Sequence, residues 1–384
     1  MLRTSLLAFL LVAGMGHAAR ADVAVSANDG KVRLVDGKQE VIKDGQDTVA
    51  VIDLAANPPK IIAEIAVPGS VVGPPLSVAL TPKADLALVT AAMRIDRVDP
   101  TKLAPDNKLT VIDLRDPAKP SVIATLEAGA GAAGLTINKA GTLALVANRS
   151  EGTVSVFSID GMKVQSAGEK VKIGDAASGP SGIVISADGK FALVSMDGDS
   201  SNKIAVLSID GTKVEYAKRD LNAGLRPYGI DMTGGGGYAV VANIGRGGGD
   251  SDTVSVIDMA AKPPRVVNTL TVGQTPEGIK MSPNGDFVAI TVMNGSNKPK
   301  SSPFFNEHGK LAIYKRTGAD LAKVTEAPIG KWCQGIAWSA GSNRVLAQCM
   351  VEEEIRAFDF DGSSLHELAP IKTKGGPAGI RTAE

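Results

Sequence analysis

The stretch LALVANRSEGTVSVFSID, residues 143–160, places two runs of small and β-branched apolar residues on either side of a short polar turn. Short apolar runs bounded by turn residues are typical of β-strands. The first run is apolar at successive positions and not at every second one, which predicts a strand that is buried on both faces. The same arrangement recurs along the chain, so the repeat decides the fold.

A glycine followed by a large aliphatic residue marks each repeat, and successive marks are about 45 to 57 residues apart. Each unit contains four short strands separated by Gly, Asn, Asp and Pro turns, which predicts one blade of a β-propeller. The marks are Gly134-Leu135, Gly182-Ile183, Gly229-Ile230, Gly278-Ile279, Gly335-Ile336 and Gly379-Ile380, with Ser77-Val78 in the equivalent place.

Six units are complete, and the two ends of the chain supply a seventh. Residues 377–382 have the pattern of a first strand, residues 22–28 of a second and residues 48–53 of a third. Pairing the termini in one sheet would close the ring and remove its open edges. We therefore predict an all-β, seven-bladed propeller with four antiparallel strands in each blade.

The N-terminus has the features of a secretory signal peptide. Arg3 precedes an apolar run over residues 6–13, and Ala19-Arg20-Ala21 ends in a small-residue cleavage pattern. We expect a signal peptide over residues 1–21, a single propeller domain over residues 22–384, and export to the periplasm as a secreted protein. No later run approaches the roughly 20 apolar residues of a membrane span.

The 41 basic and 41 acidic residues are interspersed. This distribution argues against a nucleic-acid partner, which would select a basic patch or stripe. We expect a monomer whose partner is a protein or a small polar or anionic ligand.

The strand Leu145-Val146-Ala147-Asn148, followed by Thr153-Val154-Ser155-Val156, resembles the YVTN-type repeat of the lactonase-like seven-bladed propeller group. The resemblance covers essentially the whole mature chain and implies the propeller fold. Lactonases and cycloisomerases share this architecture, but no motif allows their active residues to be transferred position by position. A fold alone does not assign a function.

Three loops between second and third strands are long: residues 29–47, 92–107 and 293–309. Long loops in compact domains are often functional. They belong to blades 1, 2 and 6, which flank blade 7, and we predict that they partly cover one mouth of the central channel. The alternative is that they are tolerated surface insertions.

Polar residues converge on the same mouth, because strand ends and blade connections share that face. Asn and Arg at a concave surface could hold an anionic or polyhydroxy ligand. The alternative is that the asparagines cap turns and the arginines are solvated. The candidate ligand-binding residues are Asn148, Arg149, Arg226, Tyr228, Asn243, Arg246 and Trp332.

The acidic run 352–354 offers one candidate catalytic residue. Glu353 could act as a general base, with Arg226 or Arg149 stabilising an oxyanion. The alternative is an ordinary solvated hairpin. No nucleophilic Ser with a His partner can be assigned, so an acyl-enzyme mechanism has no support in the sequence.

The two cysteines flank a predicted strand pair in blade 7. Counting outward from the turn at residues 340–343 places Cys333 and Cys349 nearly opposite each other. An exported protein would oxidise such a pair, so we predict a disulfide. Two free buried thiols are the alternative.

No cofactor or metal site is predicted. His308 and His366 lack metal-ligand partners at a recognisable spacing, and no C-x-x-C-H haem motif occurs. The stretch DGDSSN, residues 197–202, has alternating oxygen ligands but lacks the downstream Glu of an EF-hand, so a calcium ion there is left open.

Two functions remain. The first is an exported propeller that binds a partner on its loop-rich face without catalysis. The alternative is a lactonase- or cycloisomerase-like enzyme that acts on a lactone or sugar acid in the central channel. An accessory factor of a periplasmic oxidoreductase is a third reading, and nothing specific in the sequence favours it.

Overall fold

The computed structural model describes residues 22–199, 201–232 and 234–383. The predicted signal peptide lies outside these residues. Seven antiparallel sheets stand around a central channel, which confirms the predicted all-β, seven-bladed propeller. Innermost strands of neighbouring blades are in contact all round the ring. Within the described residues, no helix is long and apolar enough to span a membrane.

Each blade has four principal strands, numbered first to fourth from the channel outward. Blades 1 to 3 contain Gly376–Thr382, Val23–Asp29, Thr48–Asp53 and Lys60–Ala66; Val78–Leu80, Leu86–Ile95, Leu103–Asp113 and Ser121–Glu127; Ala132–Ile137, Leu143–Asn148, Thr153–Asp160 and Lys163–Ser166. Blades 4 and 5 contain Pro180–Ile185, Phe191–Met196, Lys203–Asp210 and Lys213–Tyr216; Pro227–Met232, Tyr238–Asn243, Asp252–Asp258 and Arg265–Gly273. Blades 6 and 7 contain Pro276–Met281, Phe287–Val292, Gly309–Thr317 and Asp320–Ile329; Cys333–Trp338, Arg344–Cys349, Glu354–Phe360 and Leu365–Glu367.

A few short elements supplement the blades. Additional strands pair with the third strands of blades 3, 4 and 7, and a separate hairpin and a 3-10 turn lie in loops. These elements are Val171–Lys172, Leu221–Asn222, Ile371–Lys372, the hairpin of Val32–Val35 with Lys38–Val41, and the 3-10 turn Ala176–Ser178.

The two chain ends share blade 1, as predicted. Gly376–Thr382 pairs antiparallel with Val23–Asp29, and Ser26 lies opposite Ile380. The Gln348 side chain of blade 7 donates to Ser26 Oγ at 2.8 Å and so links blade 7 to the strand pair formed by the two termini in blade 1. Pairing of the two termini therefore completes the four-stranded sheet of blade 1 and closes the ring.

The second strands form the buried walls between blades. All six residues of Leu143–Asn148 are buried. Side chains of this strand pack with those of blade 4 in one apolar cluster and with those of blade 2 in another. Burial between two sheets explains why the run is apolar at successive positions.

The repeat glycines lie where neighbouring first strands touch. A Cβ on Gly278 would overlap the carbonyl oxygen of Gln334 in blade 7, and one on Gly229 would overlap that of Glu277 in blade 6. Gly134 faces the carbonyl oxygen of Ser181 in the same way. Glycine is therefore required by the close approach of two backbones and not by a turn.

We predict that Gly278→Ala lowers the free energy of unfolding by about 1–3 kcal/mol or more, because the added methyl forces the first strands of blades 6 and 7 apart. Gly235→Ala is the matched control, since a Cβ there meets no atom within 4 Å. Urea unfolding monitored by circular dichroism measures both variants. Equal stability of the two would contradict the close-approach explanation.

Blade 7 contains the predicted disulfide. Cys333 and Cys349 are register partners on its first and second strands, and their sulfur atoms are bonded. Both residues are fully buried. The bond links the strand that enters the channel wall to the strand behind it.

We expect the oxidised protein to be more stable than the reduced protein by about 3 kcal/mol, the chain-entropy value for a loop of roughly 15 residues. Alkylation of the denatured protein, followed by mass spectrometry, should label no cysteine before reduction and both afterwards. Labelling without reductant would show that the thiols are free.

Candidate functional site

A polar pocket of about 260 Å³ occupies the channel mouth on the loop-rich face. Loops between second and third strands and connections between blades build it. Its lining residues are Leu34, Gly37, Gln39, Arg149, Asp197, Arg226, Tyr228, Ile244, Thr275, Glu277, Asn297 and Trp332.

One level of the channel is defined by the residue before each repeat glycine. Four consecutive blades, 4 to 7, have a polar residue there, whereas blades 1 to 3 have an apolar one. In blade order from 1 to 7 these residues are Ala378, Leu76, Ala133, Ser181, Tyr228, Glu277 and Gln334. The polar members touch across blades, since Gln334 Nε2 donates to Glu277 Oε1 at 3.0 Å.

Leu76 extends from blade 2 towards blades 4 and 5. It lies in one apolar cluster with Leu193 of blade 4 and Ile230 of blade 5, so its side chain crosses the channel. The polar pocket opens on the loop-rich face, where its ligand would enter.

Asp197 lies at the centre of a group of charged side chains in the polar pocket. It follows the second strand of blade 4, is fully buried and receives both terminal nitrogens of Arg149, with Nη2 to Oδ2 at 2.8 Å. Arg226 Nη2 bonds the same Oδ2 at 3.1 Å. Ser181 Oγ also donates to this carboxylate. One carboxylate thus fixes two guanidinium groups that come from different blades.

This arrangement bears on the calcium site left open from the sequence. The Asp197 carboxylate forms salt bridges with Arg149 and Arg226 and is therefore already neutralised by two guanidinium groups. Among the described residues, no group of three or more His, Cys, Asp or Glu side chains is placed to hold a metal ion.

Glu277 lies beside this charged group and is buried, with 8 % of its surface exposed. Burial, aided by the negative charge of Asp197, raises the pKa of the Glu277 carboxyl to about 8. The two arginines oppose the shift without cancelling it. At neutral pH most Glu277 side chains are protonated, and the ionised fraction grows as the pH approaches 8.

Two side-chain donors of the polar pocket suit a ligand. Tyr228 and Trp332 are 6 % and 7 % exposed, and within the described chain neither the hydroxyl nor the indole N–H has a hydrogen-bond partner. Burial raises the pKa of Tyr228 well above its ordinary value, so its hydroxyl stays a donor. Both donor atoms remain accessible to solvent in the pocket, so they can donate to a ligand rich in acceptor oxygens.

Backbone conformation also distinguishes the blade connections that line the pocket. Three residues before the repeat glycine, blades 3 and 4 place Gly131 and Gly179 in the left-handed region. Blades 5 to 7 place Arg226, Thr275 and Trp332 there, with φ of +56°, +54° and +48°. A side chain in this region costs on the order of 1 kcal/mol or more, and such residues cluster at functional sites. All three line the pocket.

The insertions of blades 1 and 6 meet over this mouth. The hairpin of blade 1 lines the pocket with Leu34 and Gln39, and Asn297 of blade 6 lines it too. At the hairpin tip, Asp36 Oδ1 accepts the Lys300 backbone N–H at 2.8 Å. Leu103, from the blade 2 insertion, packs in one cluster with Leu34 and Trp332.

The base of the hairpin is fixed by buried charges. Lys31 Nζ lies 2.8 Å from Asp47 Oδ2 and 3.2 Å from Asp29 Oδ2. Asp29 also accepts the backbone N–H groups of Lys31, Val32 and Val71. The hairpin is therefore a preformed cover.

The structure brings together four of the seven predicted ligand-binding residues: Arg149, Arg226, Tyr228 and Trp332. Asn148 and Asn243 instead cap connections within their own blades, accepting the Gly129 and Gly224 N–H groups at 3.0 and 3.1 Å. Both residues therefore fit the alternative given in the sequence analysis, which is that the asparagines cap turns.

Arg246 is exposed in the loop of blade 5. Glu353 is exposed in the turn of blade 7, outside the lining of the pocket. Its neighbour Glu352 accepts the Lys331 backbone N–H at 2.8 Å, and Glu354 pairs with Lys372 at 2.8 Å. A catalytic role of Glu353 stays a prediction.

Sequence reasoning missed Asp197 and Glu277 as members of the site. The available signal was the position before each repeat glycine, which changes from apolar to polar in blades 4 to 7. A carboxylate at that position, in Glu277, stands out against small or neutral residues in the other units.

We predict that Glu277→Gln gains stability relative to the wild type as the pH rises from about 4.5 to 8, and that the difference is constant above about pH 8. The folded state holds a proton that the unfolded chain releases above about pH 4.5, so unfolding becomes easier towards pH 8. Over this range, the difference in the free energy of unfolding between variant and wild type should grow by about 1.4 kcal/mol for each unit by which the Glu277 pKa is higher in the folded protein than in the unfolded chain. Denaturant titrations at several pH values measure it.

Glu353→Gln is the control for this comparison, because the exposed side chain should leave the pH dependence of stability unchanged. A constant difference between Glu277→Gln and wild type across the range would show that the Glu277 pKa is not raised.

The family model described as lactonase, 7-bladed beta-propeller matches residues 78–269, which is half of the chain. No curated protein matches.

Solved structures share the fold at low identity. A periplasmic gluconolactonase of Pseudomonas aeruginosa matches with a TM-score of 0.65 and 16 % identity over 94 % of this chain and 99 % of that chain. A proposed 6-phosphogluconolactonase of Bacteroides fragilis matches with 0.67 and 16 % over 96 % and 99 %. A functionally unknown protein of Desulfotomaculum acetoxidans matches with 0.67 and 14 % over 94 % and 99 %. Together with the seven-bladed ring, the family match shows that this chain belongs to the lactonase family of seven-bladed β-propellers.

Proposed function

We propose that this protein is a lactone hydrolase whose active site is the polar pocket at the loop-rich mouth. The observation that carries the proposal is a buried carboxyl, Glu277, whose pKa is raised to about 8 beside two arginines fixed by Asp197. A titratable group poised near neutral pH and cations in one pocket are the parts that ester hydrolysis requires. Family membership supports the same reaction class.

In the first step, ionised Glu277 accepts a proton from water as the water oxygen attacks the lactone carbonyl carbon. The carbonyl oxygen becomes an oxyanion. Arg226 is suited to stabilise it, since its Nη1 has no bond to the part of the chain that the structure describes, while Nε and Nη2 are held by Asp197. Fixed donors stabilise developing charge better than mobile water does.

In the second step, the acyl carbon–ring oxygen bond breaks, and protonated Glu277 returns its proton to the departing ring oxygen. The products are a hydroxyl group and a carboxylic acid, which ionises and releases one proton to solution. Water and lactone are the only reactants, so no cofactor enters the balance.

Sugar lactones fit the remaining donors. Tyr228 Oη and Trp332 Nε1 offer hydrogen bonds to ring oxygens or hydroxyl groups, and Gln39 and Asn297 add amides from the cover. The name of the Pseudomonas aeruginosa neighbour, a gluconolactonase, guides the choice of first substrate. A site that pairs buried donors with substrate oxygens discriminates strongly against analogues that lack them.

Export to the periplasm is part of the proposal. The signal-peptide pattern over residues 1–21 and the Cys333–Cys349 disulfide both suit an oxidising compartment. A monomeric state is also part of the proposal.

The purified protein should release acid from D-glucono-1,5-lactone or dihydrocoumarin above the spontaneous rate, followed with a pH indicator. The rate should rise with pH as Glu277 ionises and level off above about 8. Glu277→Gln should lower kcat by roughly a hundredfold or more and abolish this pH dependence. Arg226→Gln should lower kcat by roughly a hundredfold.

Glu169→Gln, an exposed change on the outer side of blade 3, is the matched control and should leave kcat unchanged. Full activity of Glu277→Gln together with loss of activity in Glu353→Gln would return the base to Glu353. Binding of lactones without turnover in the wild type would favour the non-catalytic reading.

A further inference from the structure

We propose that the opposite mouth of the channel is a second ligand site, which takes an amphiphilic carboxylate such as a free medium-chain fatty acid. A pocket of about 320 Å³ opens there, where the turns between first and second strands meet. This volume is at the lower end of the range for small-molecule sites, roughly 300–1,000 Å³. The site is distinct from the proposed lactone site, because the two pockets share no lining residue.

One side of this second pocket is aliphatic. Blades 2, 3 and 4 line it with apolar residues at the ends of their first strands and in the turns that follow. Most of the large aliphatic side chains there pack between blades, whereas Pro82, Ile137, Val184 and Ala187 line the pocket and stay partly exposed. This partly exposed apolar surface favours a saturated chain through the hydrophobic effect.

The other side is charged and predominantly cationic. Lys280 and Asp231 form a buried pair at 3.0 Å, and Asp231 also accepts the Met281 backbone N–H at 2.8 Å. Arg381 of blade 1 lines the same pocket, half-buried. Its Nη1 contacts the carbonyl oxygens of Ile336 and Ile380, and its other nitrogens make no hydrogen bond within the described residues.

The rim adds a third cation. Lys139 of blade 3 reaches the Gly234 carbonyl oxygen of blade 5 at 2.6 Å, so its ammonium group lies at the opening. Asp231 is the one acidic residue in the described lining, and it is already paired. The pocket therefore keeps a positive excess next to an apolar wall.

These two properties select the ligand. An apolar body on the aliphatic side gains burial, and a carboxylate near Arg381 gains charge-assisted hydrogen bonds that water would otherwise supply. A neutral alcohol of equal length lacks the second gain. A quaternary ammonium of equal length would be repelled by the cationic excess.

Isothermal titration with decanoate, below its micellar concentration, should detect one site per protein. We expect 1-decanol to bind about tenfold more weakly than decanoate and decyltrimethylammonium not to bind. Arg381→Gln should weaken decanoate by about tenfold while leaving 1-decanol unchanged. Ala187→Trp, which places an indole in the lining, should abolish binding of both.

Lys190→Trp, on the same turn as Ala187 but outside the lining, is the control and should bind decanoate normally. Thermal melts establish that each variant is folded. No heat with decanoate, equal affinities for decanoate and 1-decanol, or normal binding by Ala187→Trp would each overturn the proposal. Lactone turnover should be unchanged in Ala187→Trp, so loss of one site is distinguishable from loss of the other.

Discussion

The contact between backbones of neighbouring first strands determines the rest of this structure. At Gly134, Gly229 and Gly278, a carbonyl oxygen of the next blade occupies the space that a Cβ would need. A side chain at these three positions would force the neighbouring blades apart. The residue before each of the six repeat glycines and the residue before Ser77 are brought to the channel, and these seven residues form one level. The site is a consequence of that geometry, because the repeat that closes the ring also aligns Tyr228, Glu277 and Gln334.

The pKa of Glu277 depends on the charged groups around it. Two guanidinium groups next to Glu277 would, alone, favour its ionised form and hold the carboxyl pKa low. Asp197 changes this balance, because it engages Arg149 and Arg226 and adds a negative charge near Glu277. Burial then determines the sign of the shift. Asp197 thus has two effects: it orients the arginines and it helps to keep Glu277 protonated at neutral pH.

The sequence was informative where a periodic constraint exists. Blade number, closure by the termini and the opposition of Cys333 and Cys349 all follow from strand counting within a repeat. Arg226, Tyr228 and Trp332 were also predictable as residues of one mouth, since blade connections share a face. Which side chains enter the pocket was a harder question.

The difficulty has a structural cause. First strands have register shifts next to the repeat glycine, for example between Pro276 and Gly278 and between Pro227 and Ile230. A bulge breaks the alternation of side chains, so counting along the strand no longer gives the direction of a residue. Glu277 lies within such a shift. Glu353, in a regular tight turn, was easier to notice and lies on the exposed surface.

The cover and the chemistry are coupled through solvent. The polar residues of the channel level belong to blades 4 to 7, whereas blades 1 to 3 contribute Ala378, Leu76 and Ala133. The hairpin of blade 1 is held at its base by Lys31 and places Leu34 in the lining of the polar pocket. Excluding water strengthens the attraction within the Asp197 group and penalises ionisation of Glu277. The raised pKa of Glu277 therefore arises first from burial and second from the negative charge of Asp197, in a pocket that the hairpin also lines.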